Sequence, residues 1–458
     1  MNIAYLLALL VLAIAFIVVS TTALKLHPFL ALLTAAFGFG LATGMPLLDV
    51  VNSVNDGFGA TIGSIGIVII AGTIIGTFLE RSGGAHRLAE ATVQLTGEKH
   101  VPLSMGAVGF VVSMPVFCDS GFVILSPLTK ALSHRAGITL ASSAVALSLG
   151  LYATHTMVPP TPGPVAAAGI LEANLGLVIL WGLLVALVAM VAGWVFAVTW
   201  AAREPIAPYT ADETRAGIEA ATSAADAPGP ARSLLPIVLP IILIVGRSLV
   251  EIWLKSAHID VKTAHLAAWQ TLVIFFGQPV VALLVGVLFA FLLPKRLTTD
   301  MVSPAGWVGQ AILAAATIII ITGAGGAFGK VLQNSGIAVV IGASLSGSSI
   351  GIWLPFILAA AIKTAQGSST VAIITTASLM APLLPSLGLG GDHARALAVV
   401  AIGAGSMVVS HANDSYFWVV TQFSHMNVRQ GYKLQTLGTL VEGLAAAAGV
   451  YVLSLFLL

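Results

Sequence analysis

Four stretches, Ile3 to Ser20, Leu175 to Thr199, Leu234 to Trp253 and Leu434 to Leu457, are apolar with few charges, and each is close to the roughly 20 residues a helix needs to cross a bilayer. Such runs fix the solvent in which the chain folds. With 58% hydrophobic and 8% charged residues over 458 positions, against roughly 25% charge in soluble domains, no water-soluble core could hide the apolar surface. The first run lacks the basic flank and small-residue cleavage site of a signal peptide, so it reads as a retained helix. A lone cysteine, Cys118, rules out a disulfide within the chain and thiolate metal clusters. The net charge of +1 gives no reason to expect nucleic acid. No Walker pattern is present, so no ATPase is expected in this chain.

Short loops rich in Lys and Arg stay in the cytoplasm. With the N-terminus outside, 13 of the 19 basic residues fall in inner loops; Lys255, Lys262, Lys330 and Arg395 lie outside, and Arg247 and Lys363 lie within apolar segments. The reverse orientation inverts that bias. This count assumes ten full crossings plus two re-entrant hairpins, and places both termini outside. The stretch Ala71, Gly72, Gly76, Leu79, Ser82, Gly83 reappears 253 residues later as Ala324, Gly325, Gly329, Leu332, Ser335, Gly336. Pro127-Leu128 recurs as Pro382-Leu383, and Thr154-His155 as Ser410-His411. Two copies of one unit starting on opposite sides are inverted repeats, the construction of many secondary transporters, with substrate near the midplane.

The expected organisation is all-α and polytopic: scaffold helices over 1–58, repeat 1 over 59–174 with a re-entrant hairpin at 101–132, a membrane helix over 175–202, a cytoplasmic linker over 203–232, central scaffold helices over 233–311, repeat 2 over 312–427 with a hairpin at 352–384, and a C-terminal helix over 428–458. Short helices at the membrane surface are expected at 87–95 and 337–345.

Each repeat holds an apolar run interrupted by polar residues: Ser113 to Gly121 in the first, Lys363 to Thr370 in the second. Irregular backbone at membrane depth is tolerated only where it is buried in protein or lines a wet cavity. A second interruption follows in each copy, at Thr154 to Pro164 and at Ser410 to Ser415. Proline lacks the amide donor and clashes with the preceding turn, so the first cannot be a continuous helix. Half-helix N-termini at such breaks offer free amides and partial positive charge to an anion.

Ionisable groups inside spans are costly and mark function by default. Asp119, His155, Lys363, His411 and Asp414 all fall at the breaks; a buried cap or structural hydrogen bond is the competing role for each. The expected substrate contacts are Asp119, Ser120, Gly121, Thr154, His155, Thr156, Lys363, Gln366, Ser368, Ser369, Thr370, His411, Asn413 and Asp414. Protons can ride on carboxylates or histidines in such places. Asp119 is the expected proton carrier and His155 its rival. No metal is expected: zinc sites need about three ligands at fixed spacing, and no HExxH-like pair exists here, which also argues against an intramembrane enzyme. A passive channel would repeat a selectivity element around a ring rather than present two unequal tips.

The segments Met114 to Phe122, Thr154 to Pro164, Lys363 to Val371 and Ser410 to Ser415 together resemble the gluconate permease (GntP) family, in the right order and over nearly the whole chain. The resemblance implies proton-coupled uptake of gluconate, or of related sugar acids, glycerate or D-serine, across a bacterial inner membrane, with the proton as coupling ion and no other cofactor. It also implies a homodimer with a scaffold and a mobile transport domain.

Overall fold

The structure, a computed structural model, describes residues 3–96, 100–209, 227–257, 259, 266–336, 351–412 and 414–458. All regular elements among the described residues are helical. In chain order they include α1 (Ile3–Thr22), α2 (Pro28–Ala42), α3 (Leu47–Arg81), α4 (Gly84–Thr96), α5 (Val101–Val112), α6 (Cys118–Ala136), α7 (Leu140–Met157), α8 (Pro162–Ile170) and α9 (Leu175–Thr199). Then come α10 (Pro230–Ser256), α11 (Ala268–Phe276), α12 (Pro279–Ala290), α13 (Trp307–Asn334), α14 (Trp353–Gln366), α15 (Ser369–Met380), α16 (Asp392–Met407), α17 (Ser415–Phe423) and α18 (Leu437–Leu457). Among the described residues four helical stretches are long and apolar enough to cross a membrane, or six if the bent pairs within Leu47–Arg81 and Ala268–Ala290 each count as one. The chain is a multi-pass membrane protein. The other expected crossings fall on α1, α2 and the interrupted pairs α7–α8 and α16–α17.

Small residues let these helices approach backbone to backbone, the packing favoured where lipid gives no hydrophobic drive. The long helices α3 and α13 meet at Gly57 and Gly326: a Cβ on Gly57 would stand 2.5 Å from the Gly326 carbonyl oxygen. Helices α5 and α7 meet at Gly106 and Gly150, α16 touches α7 at Gly403 and Thr156, and α16 touches α14 at Gly405 and Phe356.

Several boundaries differ from the sequence reading. The helix after the linker starts at Pro230, inside the expected 203–232 linker, because proline's fixed φ suits the first helical turn and its missing N–H is not needed there. Residues 210–226 of that linker, and the whole of the expected surface helix at 337–345, lie outside the described residues; its counterpart is α4. Helix α7 runs through Thr154, His155 and Thr156 to Met157, and Val158 N still donates to the Thr154 carbonyl at 2.9 Å. The break there is residues 158–161, since the steric effect of proline acts on Pro159 and the residue before it. In the first hairpin the break is 113–117, so Cys118, Asp119, Ser120 and Gly121 form the first turn of α6. In the second it narrows to Gly367 and Ser368. Lys363 and Gln366 close α14, while Ser369 and Thr370 open α15. Gly367 has φ +92°, a region that glycine enters without a Cβ clash.

Candidate functional site

Helix α3 supports two of the four breaks. A Cβ on Gly76 would stand 2.3 Å from the Pro115 carbonyl oxygen in the first hairpin, and one on Gly72 would stand 2.9 Å from the Pro160 carbonyl oxygen in the break after α7. From that second break α8 leads to the second half of the chain: Gly163 lies against Ile373 and the Cα of Thr370 in the first turns of α15. The N-termini of α8 and α15 therefore meet. Phe117 and His155 place rings 6.0 Å apart across the two breaks of the first half.

The two breaks of the second half are joined by charge. Lys363 Nζ donates to Asp414 Oδ2 at 2.6 Å and also to the Gly367 carbonyl. Lys363 is 0% exposed and Asp414 4%. Desolvating both ions costs several kcal/mol each, repaid only by close geometry and further hydrogen bonds. These exist: Ser410 Oγ donates to Asp414 Oδ2 at 2.5 Å, and Tyr416 N donates to Oδ1 at 3.1 Å, so Asp414 also caps α17. Lys363 Nζ lies 6.0 Å from the centroid of the Tyr152 ring, a cation–π contact. Tyr152 packs on Tyr416 with centroids 5.0 Å apart, and Tyr416 Oη donates to the Ser148 carbonyl at 2.9 Å. Cation, carboxylate and tyrosines thus tie α7, α14 and α17 into one buried knot.

Asp119 approaches this knot from the first hairpin, close enough to feel the charges of Asp414 and Lys363. Its Oδ2 lies 3.9 Å from Cys118 Sγ, and its Oδ1 is buried with no hydrogen-bond partner among the described residues. His155 is buried, its Nδ1 likewise unpartnered among the described residues, and it too lies within range of the Asp414 charge. The structure therefore brings Asp119, His155, Lys363 and Asp414 together.

The remaining expected residues divide. Ser369 and Gly121 are buried, and Ser120 and Thr370 half-buried, beside the breaks; Ser368 caps α15 by accepting from Val371 N at 3.3 Å. Thr154 and Thr156 direct their hydroxyls to their own helix, at the Leu151 and Tyr152 carbonyls. His411 Nε2 lies 2.9 Å from the Thr364 carbonyl oxygen, fastening the α16–α17 break to the end of α14. Asn413 and the side chain of Gln366 lie outside the described residues. The sequence reading passed over Tyr152, Tyr416, Ser148 and Glu442. Glu442 is 0% exposed on α18, with neither oxygen partnered among the described residues. An acid within an apolar run was the available signal for it.

No group of three metal-ligating side chains occurs among the described residues. Cavities of about 390 Å³, at Asn174, Arg247 and Ser248, and about 560 Å³, at Thr61, Lys330 and Arg395, share Ser64, Gly169 and Glu172 in their walls. Neither is lined by residues of the four breaks, and the Lys363–Asp414 pair itself is buried.

The sequence pattern of the GntP family permeases matches residues 5–456. A gluconate permease of Pseudomonas aeruginosa is 34% identical over 460 aligned positions, covering 99% of this chain and 98% of its own. The high-affinity gluconate transporter of Escherichia coli K12 is 31% identical, over 89% of this chain and 90% of its own. The D-serine transporter DsdX of the same organism is 32% identical over 97% of both. Among solved structures, the YdaH transporter of Alcanivorax borkumensis superposes with a TM-score of 0.63 over 94% of this chain and 99% of its own, at 16% identity, which speaks for the fold alone. The chain belongs to the GntP permease family, and is a membrane transporter rather than an enzyme.

Proposed function

We propose that this permease is a secondary symporter that carries gluconate, or a closely related small hydroxy-carboxylate, with protons across the bacterial inner membrane. The observation that carries the reading is the buried Lys363–Asp414 pair, which joins the two breaks of the second half, with Asp119 from the first hairpin within range of both charges. A fixed buried cation suits a carboxylate substrate, and the helix N-termini of α8 and α15 add partial positive charge. Serine and threonine hydroxyls at the hairpins suit a polyol chain. Asp119 takes the coupled proton, since an anion entering beside an ionised Asp119 would be repelled; His155 is the rival carrier.

In this reading the two halves are inverted repeats with re-entrant hairpins, working as a homodimer with scaffold and transport domains. Both termini face the periplasm and the linker faces the cytoplasm, as the basic-residue bias supports. Because Lys363 and Asp414 are buried, substrate reaches the pair only when packed elements move apart, as in alternating access. The similarity to a D-serine transporter supports an amino-acid substrate as the second reading, and glycerate is a third.

Substrate identity is tested by counterflow in proteoliposomes preloaded with gluconate. External gluconate and related sugar acids should exchange with the internal pool, while D-serine and glycerate compete weakly. Strong competition by D-serine without competition by sugar acids would replace the first reading with the second.

A further inference from the structure

We infer that Lys363 is the anchor for the substrate carboxylate, and that Asp414 is a tethered stand-in which holds that anchor in the empty transporter and must be displaced when substrate binds. The inference rests on reading the four breaks as the transport site.

Lys363 reaches its position from the last turn of α14 and is 0% exposed. An ammonium so placed needs a carboxylate or equivalent in every conformation, because an uncompensated buried charge is far costlier than the pair. In the structure that carboxylate is Asp414, at 2.6 Å. Both ends of the bridge are engaged, but the two partners differ in what they keep when it opens. Asp414 has other support: without Lys363 it still accepts from Ser410 Oγ on Oδ2 and from Tyr416 N on Oδ1. It can therefore release the ammonium and remain hydrogen-bonded, although its charge must then be met by another cation or a proton, since a buried carboxylate alone is as costly as a bare ammonium. Among the described residues Lys363 keeps only the Gly367 carbonyl and the face of Tyr152, neither of which carries a formal charge. The side that needs replacing is the anion.

The surroundings narrow what can replace it. Among the described residues, the charged or titratable groups around the pair are Asp119 and Cys118 from α6, Tyr152 and His155 from α7, Tyr416 from α17, and His411 in the break before it, whose Nε2 lies 2.9 Å from the Thr364 carbonyl oxygen. None of these is a second fixed cation. One ammonium exchanges one carboxylate for another, so the ligand class is the monocarboxylate; a dicarboxylate would leave its second charge against Asp119 and Asp414. The exchange also explains why a cation this strong need not hold substrate too tightly to release it: the tethered competitor returns as the ligand leaves.

The test uses the full-length permease in detergent, with gluconate and its neutral amide as probes, read by equilibrium binding and by ligand-induced thermal stabilisation. Asp414→Asn removes the competitor and leaves the ammonium in want of an anion, so gluconate should bind about tenfold more tightly than to the wild type, with a larger thermal shift, while the amide gains nothing. Lys363→Met should abolish gluconate binding. The double variant Lys363→Met/Asp414→Asn buries no uncompensated charge, so it should fold and still not bind. Should Asp414→Asn be recovered folded only when gluconate, and not the amide, is present during purification, that dependence is the expected result in another form. Weaker gluconate binding in Asp414→Asn, alongside loss in Lys363→Met, would overturn the stand-in role while leaving the site in place. Wild-type binding by the double variant would overturn the site itself.

Discussion

Asp119 and His155 present the same geometric feature, a buried polar atom with no partner among the described residues, yet their replacements should behave differently. Asp119→Asn mimics the protonated acid, so it should lose gradient-driven accumulation of substrate while retaining exchange of external for internal substrate. His155→Gln should weaken apparent affinity about tenfold and keep accumulation. Comparing accumulation with exchange in the same vesicles checks both; normal proton-driven accumulation in Asp119→Asn would pass the carrier role to His155. At this scale the sequence was most legible where it was least expected to carry charge. Lys363, Asp414 and Asp119 stand out in apolar surroundings, where each ion must be compensated. Tyr152 and Tyr416 did not stand out, because an aromatic in an apolar helix reads as core until its hydroxyl or ring face is seen to meet a polar group. Thr154 and Thr156 show what sequence leaves open: a hydroxyl in a helix reaches its own i−4 carbonyl, and theirs donate there or to i−3.

Glycine contacts decide how the elements come close enough to hold those side chains. A Cβ at Gly150 would lie 2.1 Å from the Gly106 carbonyl oxygen, and one at Gly76 would lie 2.3 Å from that of Pro115. Both obstacles are backbone, so no rotamer change relieves them. Gly150→Ala and Gly76→Val should each lower stability by about 1–3 kcal/mol, the usual cost of overpacking, and Gly76→Val should also reduce substrate binding by shifting the hairpin that carries Asp119. Gly59→Ala, with nothing within 4 Å of the added carbon, should leave the melting temperature unchanged or raise it; an equal loss in all three would refute the packing argument. The existence of the breaks was readable from proline and polar interruptions. Their edges were not, because a helix continues until its hydrogen-bond ladder fails, and side-chain polarity does not mark that point. The repeated glycines show the same limit: Gly72 meets Pro160, whereas its counterpart Gly325 meets Ile374 and Ser378, so a sequence match predicts a small residue but not its neighbour.

Across the whole molecule, class and family were legible because bilayer-length apolar runs admit few folds and because the four polar breaks occur in one order. What joins those breaks was not, since the Lys363–Asp414 pair spans 51 positions and Tyr416 to Ser148 spans 268, and no local pattern encodes such pairings. Coupling of hydroxy-carboxylate uptake to inward proton movement is measured in proteoliposomes holding the purified protein alone. With acidic buffer outside and neutral buffer inside, labelled gluconate should accumulate above its external concentration, and a protonophore that collapses the gradient should return it to equilibrium. Entry that stops at equal concentrations on both sides, whatever the pH difference and with or without the protonophore, would contradict proton coupling and describe a passive pathway instead.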